Sequence, residues 1–252
     1  MATPPGVPAR PSEGPLAGRI ALVTGAGRGI GRAIAEAFAG AGAAVALVGR
    51  SQEPLRDVAG AIREAAGRAE AISADVRDER QVRHAAERAL AAFGRVDILV
   101  NNAGIAVWGP VQDFALGDWE KTLATNLTGP FLMARAVLPA MLAQGGGQIL
   151  NVASGAGRGG LPNLAAYSAS KAGLMAFSEA LAAEVRQHRI KVMVLAPGSV
   201  ATAFGEGFPA VRPGRSKAPL NPGDVASAAL AMVTQPPHAW MSEAVLRPLT
   251  LA

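Results

Sequence analysis

From about Arg19 onward, short runs of almost wholly apolar residues alternate with longer stretches in which apolar positions recur every three or four residues. The short runs predict strands at 19–24, 44–48, 69–73, 97–100, 148–152, 190–196 and 243–247. The longer stretches predict helices at 30–41, 54–66, 79–93, 118–143, 165–188 and 223–234, with Asp78 and Asp118 placed to cap two of them. Runs such as Ile20-Ala21-Leu22-Val23 and Ile98-Leu99-Val100 have no polar face, so they belong to strands covered on both sides. Strand and helix in alternation specify an α/β domain, a parallel sheet with helices on both faces.

Two segments fall outside that rhythm. Residues 1–18 carry Pro4, Pro5, Pro8, Pro11 and Pro15 without an apolar stretch of signal-peptide length, and read as a flexible leader to a single domain over 19–252. The stretch 203–222 holds Gly205, Gly207, Pro209, Pro213, Gly214, Pro219 and Pro222, and is too long for an ordinary helix–strand connection. Its glycines and its Phe204, Phe208 and Val211 make 203–220 a candidate lid over a substrate.

Composition narrows the function classes. The chain has 252 residues, 50% of them hydrophobic and 17% charged, enough apolar mass for one large folded domain. Its formal net charge of +5 is spread without any run of like charges, which argues against a nucleic-acid face. Cysteine is absent, so disulfides, thiolate metal sites and a cysteine nucleophile are excluded. His84, His188 and His238 lack the paired spacing of metal ligands, and no metal is expected. No apolar run reaches the roughly 18 residues that span a bilayer, and a cytoplasmic protein is expected.

The first predicted strand runs straight into Thr24-Gly25-Ala26-Gly27-Arg28-Gly29-Ile30-Gly31 and then into a helix. Glycines between a first strand and a first helix let the backbone approach a pyrophosphate, while the helix N-terminus attracts the anion. The second strand ends in Gly49-Arg50-Ser51, where an NAD-selective site would carry an acidic residue. Arg50, together with Arg28, puts positive charge where an adenosine 2′-phosphate would lie, which favours NADP(H) over NAD(H).

The single tyrosine falls in Tyr167-Ser168-Ala169-Ser170-Lys171, so Tyr167 and Lys171 share a helix face at i and i+4. An ammonium at about 4 Å in a medium of effective dielectric about 20 is worth roughly 4 kcal/mol, which would bring a phenol from about 10 to near 7. Ser154 follows the strand Ile149-Leu150-Asn151-Val152, at the carboxyl end of a parallel sheet where such folds keep their sites, and would hold a substrate carbonyl.

Taken together, TGAGRGIG at 24–31, NNAG at 101–104, Asn126, Ser154 and YSASK at 167–171 resemble the short-chain dehydrogenase/reductase family, over about 19–235. The likeness is to its NADP-preferring carbonyl and 3-oxoacyl reductase-like branch. It implies a Rossmann-like, doubly wound, seven-stranded fold and a homotetramer or homodimer. In that reading Tyr167 is the general acid, Ser154 orients the carbonyl, Lys171 lowers the tyrosine pKa and bonds the nicotinamide ribose, and Asn126 anchors a water that relays protons to Lys171. The resemblance also implies cofactor contacts at Gly25, Arg28, Gly29, Ile30 and Gly31, adenine contacts at Asp75 and Val76, and adenosine contacts at Asn102, Ala103 and Gly104. Pro197, Gly198, Val200 and Thr202 match the segment that holds the carboxamide. The end of the chain, Ser242-Glu243-Ala244-Val245-Leu246-Arg247-Pro248-Leu249, lacks the Asp-Gly-Gly typical of the 3-oxoacyl-carrier-protein reductases, so the implied substrate is a generic ketone or aldehyde.

Other features are secondary. Apolar residues on several sides of 118–143 (Leu123, Leu127, Phe131, Leu132, Val137, Leu138) point to assembly through this helix and 165–188. Trp108, Trp119 and Trp240 read as core or interface anchors, with Trp108 within reach of a pocket. The expected activity is NADPH-dependent reduction of a ketone or aldehyde, reversible to alcohol oxidation. The competing readings are an NAD-linked alcohol dehydrogenase, told apart by cofactor preference, and a non-catalytic nucleotide sensor, which would not need the proton-transfer residues.

Overall fold

Seven parallel strands form one sheet in a computed structural model that describes residues 14–205, 208–209 and 216–249. They are β1 (Ile20–Thr24), β2 (Ala44–Gly49), β3 (Arg68–Ser73), β4 (Ile98–Asn101), β5 (Gly147–Val152), β6 (Ile190–Pro197) and β7 (Glu243–Leu246), in the order β3-β2-β1-β4-β5-β6-β7. The helices are α1 (Gly29–Gly40), α2 (Gln52–Glu64), α3 (Glu79–Phe93), α4 (Leu116–Leu123), α5 (Gly129–Ala143), α6 (Ala165–Val185) and α7 (Pro222–Val233).

The continuous apolar strands supply two cores at once. Ala21, Val23, Val45 and Leu47 face a core built with α1, α2 and α7, through Ile34, Phe38, Leu55, Val58, Val225 and Met232. Their neighbours Leu22, Ala46 and Val48 face the opposite core, filled from α3, α5 and α6 by Val82, Ala85, Met133, Val137, Met141 and Leu181. A side-chain period of two thus puts every second residue of one strand under a different helix layer. Strand order reverses between β1 and β4, which opens a crevice at their carboxyl ends.

Three expectations are corrected. The predicted helix 118–143 starts at Leu116 and contains a π-helical segment, Ala124–Thr128, between α4 and α5. Its cap position is Ala115, and Asp118 lies inside the first turn, whereas Asp78 does cap α3 by accepting from the Gln81 N–H at 3.0 Å. The predicted leader ends early. Leu16 is buried against the α1 core and its N–H donates to the Ala41 carbonyl at 2.9 Å, so Gly14–Gly18 belong to the folded domain. Residues 1–13 lie outside the described residues, as do 206–207 and 210–215 of the predicted lid. The described part of that segment leaves and returns at one place, since Val200 bridges Leu220 and the Ala201 N–H donates to the Leu220 carbonyl at 2.7 Å. No described helix is long and apolar enough to cross a membrane.

Candidate active site

β1 carries Thr24 to the edge of the crevice, and its hydroxyl joins two of the recognised motifs. Thr24 Oγ1 accepts from the backbone N–H of Asn102 at 3.0 Å and of Ala103 at 3.1 Å, while Asn102 Nδ2 donates to the Thr24 carbonyl at 3.0 Å. These bonds set the turn at Gly25 against Asn102-Ala103-Gly104. A Cβ on Gly31 would fall 2.2 Å from the Gly25 carbonyl oxygen, so α1 approaches the turn as only glycine allows. Arg28 stands at the N-cap of α1 with no side-chain cap, and the first turn holds no acidic residue. The N–H groups opening α1, from Gly29, Ile30 and Gly31, are left for a ligand or water to satisfy. An open glycine cradle at an uncapped helix N-terminus fits a dinucleotide pyrophosphate.

The remaining cofactor candidates surround that cradle. A Cβ on Gly29 would lie 3.4 Å from Thr202 Cγ2, so the 197–202 segment folds back onto the glycine turn. Pro197 ends β6, and the Gly198 N–H donates to the Leu246 carbonyl at 2.8 Å, which ties this segment to β7. Arg28 and Arg50 are exposed, and neither guanidinium pairs with a carboxylate among the described residues. Asp75 is engaged instead by Arg77, whose Nη2 lies 2.6 Å from Oδ2 and Nε 3.0 Å from Oδ1. The Arg77 hydrogen bond holds the Asp75 carboxyl below its usual range, with Arg50 adding a weaker pull. Val76 is buried under Gly129, at the start of α5.

The catalytic candidates meet at the end of β5 and the start of α6. Ser154 caps the 3-10 turn Gly155–Gly157, its Oγ accepting from the Ala156 N–H at 3.2 Å. Tyr167 keeps some exposed surface, but burial pushes its phenol above the ordinary value and the Ser154 side chain offsets this by holding it down. Lys171 is 4% exposed, and desolvation lowers it to about 8. Its Nζ donates to the Val152 carbonyl at 2.8 Å and stands 5.8 Å from the Tyr167 ring centroid. The i, i+4 spacing therefore brings ammonium and ring together as expected, but the phenol moves up and not down. Spacing along a helix fixes the face a side chain occupies; it says nothing about depth, and depth sets the desolvation cost here.

Asn126 lies in the π-helical segment and is fully buried. Its amide clamps the Ile105 backbone, accepting the N–H at 2.9 Å and donating to the carbonyl at 2.8 Å, and also donates to Ser170 Oγ at 3.0 Å. Ser170 in turn donates to the Tyr167 carbonyl at 2.7 Å. A Cβ on Gly104 would stand 3.3 Å from Asn126 Oδ1 and 3.7 Å from Lys171 Nζ, so a glycine keeps the space between amide and ammonium open.

Sequence reasoning missed several supports. Ser170 was visible only as a small polar residue inside YSASK, and Arg77 only as one arginine among many. Asn101 and Asn151 form a buried chain, Asn101 Nδ2 donating to Asn151 Oδ1 at 2.8 Å and Asn151 Nδ2 to Ser178 Oγ at 2.7 Å, which braces α6 against β4 and β5. The polar asparagine in each otherwise apolar strand was the available signal. Gly157 packs on the α6 backbone, since a Cβ there would fall 2.8 Å from the Lys171 carbonyl carbon.

Comparison with known proteins agrees with this geometry. A family model described as short chain dehydrogenase matches residues 19–210. A D-threitol dehydrogenase from Mycolicibacterium smegmatis is 44% identical over 190 residues, which cover 75% of this chain and 73% of that protein. Among solved structures, a metagenomic short-chain oxidoreductase in complex with NADP is 37% identical with a TM-score of 0.81, covering 93% of this chain and 98% of that one. A 3-ketoacyl-ACP reductase from Sinorhizobium meliloti 1021 is 34% identical with a TM-score of 0.82, covering 90% and 97%. Fold and site thus define a Rossmann-like oxidoreductase. The chain belongs to the short-chain dehydrogenase/reductase family, and as such is an NAD(P)-dependent enzyme acting on CH–OH groups and the corresponding carbonyls.

Proposed function

We propose that this protein reduces a ketone or aldehyde to an alcohol at the expense of NADPH, with Ser154, Tyr167, Lys171 and Asn126 as its working residues. The observation that carries the reading is the meeting of three side chains, with Lys171 Nζ 5.8 Å from the Tyr167 ring centroid and the Ser154 side chain at the end of β5 acting on the Tyr167 phenol. A protonated acid beside a hydroxyl is what carbonyl reduction asks of the protein. In this reading Ser154 donates to the carbonyl oxygen and Tyr167 delivers the proton as that oxygen becomes negative. The bound reduced nicotinamide supplies the hydride, two electrons in all, so that carbonyl plus hydride plus proton gives the alcohol. Lys171 faces the Tyr167 ring from below, and with Asn126 across the gap left by Gly104 it would return a proton from water to the tyrosine.

NADPH is favoured over NADH because Arg28 and Arg50 are exposed and lack carboxylate partners among the described residues, at the end of β2 and beside the glycine turn. A solved neighbour, the metagenomic short-chain oxidoreductase, is in complex with NADP. Thr202, Gly198 and Val200 would hold the carboxamide, and the segment 203–220, its ends pinned together at Val200 and Leu220, would cover the site as a lid. Exposed Phe131 and Leu142 on α5 support assembly of copies through 118–143 and 165–188.

The D-threitol dehydrogenase relative favours a second reading, oxidation of a polyol, which joins the NAD-linked alcohol dehydrogenase alternative. An NADPH-oxidation screen over ketones of graded size, repeated with NADH and with polyols plus NAD, separates the two. Ketone-dependent NADPH consumption is the expected result. Polyol oxidation with NAD and no ketone reduction would replace the reading with the second one.

A further inference from the structure

Four aromatic rings make two contacts that proton transfer does not require, one of them on Tyr167 itself. Phe204 lies with its ring centroid 5.7 Å from that of Tyr167 at an interplanar angle of 55°. Phe208 lies 5.7 Å from Trp108 at 42°. The first pair sets an apolar wall directly against the proton donor. The second joins the two chain segments, after β4 and after β6, that flank the crevice.

Both walls are held in place by backbone bonds. The Phe204 N–H donates to Thr202 Oγ1 at 3.3 Å, and the bridge between Val200 and Leu220 closes the segment behind it. Trp108 is followed by Gly109, whose N–H donates to the Asn163 carbonyl at 2.9 Å; Asn163 itself adopts a left-handed conformation (φ 61) three residues before α6 begins its catalytic turn at Ala166 and Tyr167. Even so, Phe204 remains 43% exposed while resting on the Tyr167 ring. An aromatic ring fixed on a catalytic group with nearly half its surface uncovered offers a face for a ligand to cover.

We propose, on the basis of the carbonyl reduction argued above, that the substrate is an aryl ketone whose aromatic group sits next to the carbonyl and stacks on Phe204, flanked by the Trp108–Phe208 pair. A flat ring gains dispersion and edge-to-face contact there. A ketose or polyol brings several hydroxyls to the same rings, where beyond the Trp108 indole N–H and the Tyr167 hydroxyl there is only apolar ring surface, and hydroxyls stripped of water without a partner weaken binding. Sites that discriminate among hydroxyls are built from polar groups aimed at them, whereas the side chain whose ring contact lies directly on Tyr167 is Phe204.

The test compares kcat/KM with NADPH for acetophenone, acetone and a four-carbon ketose in wild type, Phe204→Ala and Trp108→Ala. In parallel, acetophenone binding to Tyr167→Phe is followed without cofactor by tryptophan fluorescence, with Tyr167→Phe/Trp108→Phe identifying Trp108 as the reporter. Acetophenone should exceed the ketose by at least about tenfold, Phe204→Ala should cut the acetophenone value at least about tenfold and the acetone value less than about threefold, and the quench should vanish without Trp108. A ketose preferred over acetophenone, or an unchanged acetophenone value in Phe204→Ala, overturns the aryl assignment and leaves carbonyl reduction standing. If no carbonyl is reduced, the reading of the enzyme as a reductase fails, and the fluorescence titration alone decides whether the aromatic mouth binds an aryl group: a Trp108-dependent quench upholds it and no quench refutes it.

Discussion

Lys171 Nζ points at the face of the Tyr167 ring, 5.8 Å from its centroid, while hydrogen-bonding the Val152 carbonyl at 2.8 Å. The ammonium therefore sits beneath the phenol, desolvated along with it. Burial works on the two groups in opposite senses: it favours the neutral phenol and the neutral amine. The surroundings thus favour the charged form of neither group, and Lys171 is lowered to about 8.

That lysine makes a stability prediction with a definite sign. Its folded pKa, about 8, lies below the ordinary 10.5, so between those values the unfolded chain binds more protons and stability rises with pH. Relative to Lys171→Met, which has no such charge to bury, the wild type should gain about 2 kcal/mol between about pH 8 and pH 10. Urea denaturation of both proteins across that range measures the difference. A pH-independent gap would mean that Lys171 is not desolvated.

Arg50 should decide cofactor choice. A charge-assisted bond to a 2′-phosphate is worth about 1.5–3 kcal/mol, so Arg50→Ala is expected to lower kcat/KM for NADPH at least about tenfold and to leave NADH almost unchanged. Steady-state kinetics with both cofactors checks this. Equal losses with NADPH and NADH would assign Arg50 no role at the phosphate.

Gly157 should matter to catalysis although it carries no side chain. A Cβ there would fall 2.8 Å from the Lys171 carbonyl carbon and 2.9 Å from the Ala172 nitrogen, both backbone atoms, so Gly157→Ala must push the Ser154 turn off α6. Because a misplacement of about 1 Å can cost 10²-fold, kcat should fall about 10–100-fold while the Kd for NADPH holds. Gly155→Ala, where a Cβ would meet nothing within 4 Å, is the matched control. Equal effects of the two substitutions would remove Gly157 from the positioning of Ser154.

How much of this was legible beforehand differs by level. The strands were readable because residues such as Leu22 and Val23 must both be apolar when they face different helix layers, and that leaves an unbroken run. The meeting of Ser154, Tyr167 and Lys171 was readable because their types and spacing are rare together. The π-helical segment at Asn126 was not, since 118–143 carries apolar residues on several sides and so presents no single face whose phase would break. Leu16 escaped notice as a lone apolar residue among prolines and glycines, and the Arg77 lock on Asp75 depends on rotamers that no pattern encodes.

The central claim is that the Tyr167 hydroxyl supplies the proton for carbonyl reduction. Tyr167→Phe removes that oxygen and little else, so the decisive measurement is its kcat on the best ketone of the screen alongside its Kd for NADPH. The account predicts a fall in kcat of at least about 100-fold, with NADPH bound within about twofold as tightly as by the wild type. Retention of more than about a tenth of the wild-type kcat would contradict it.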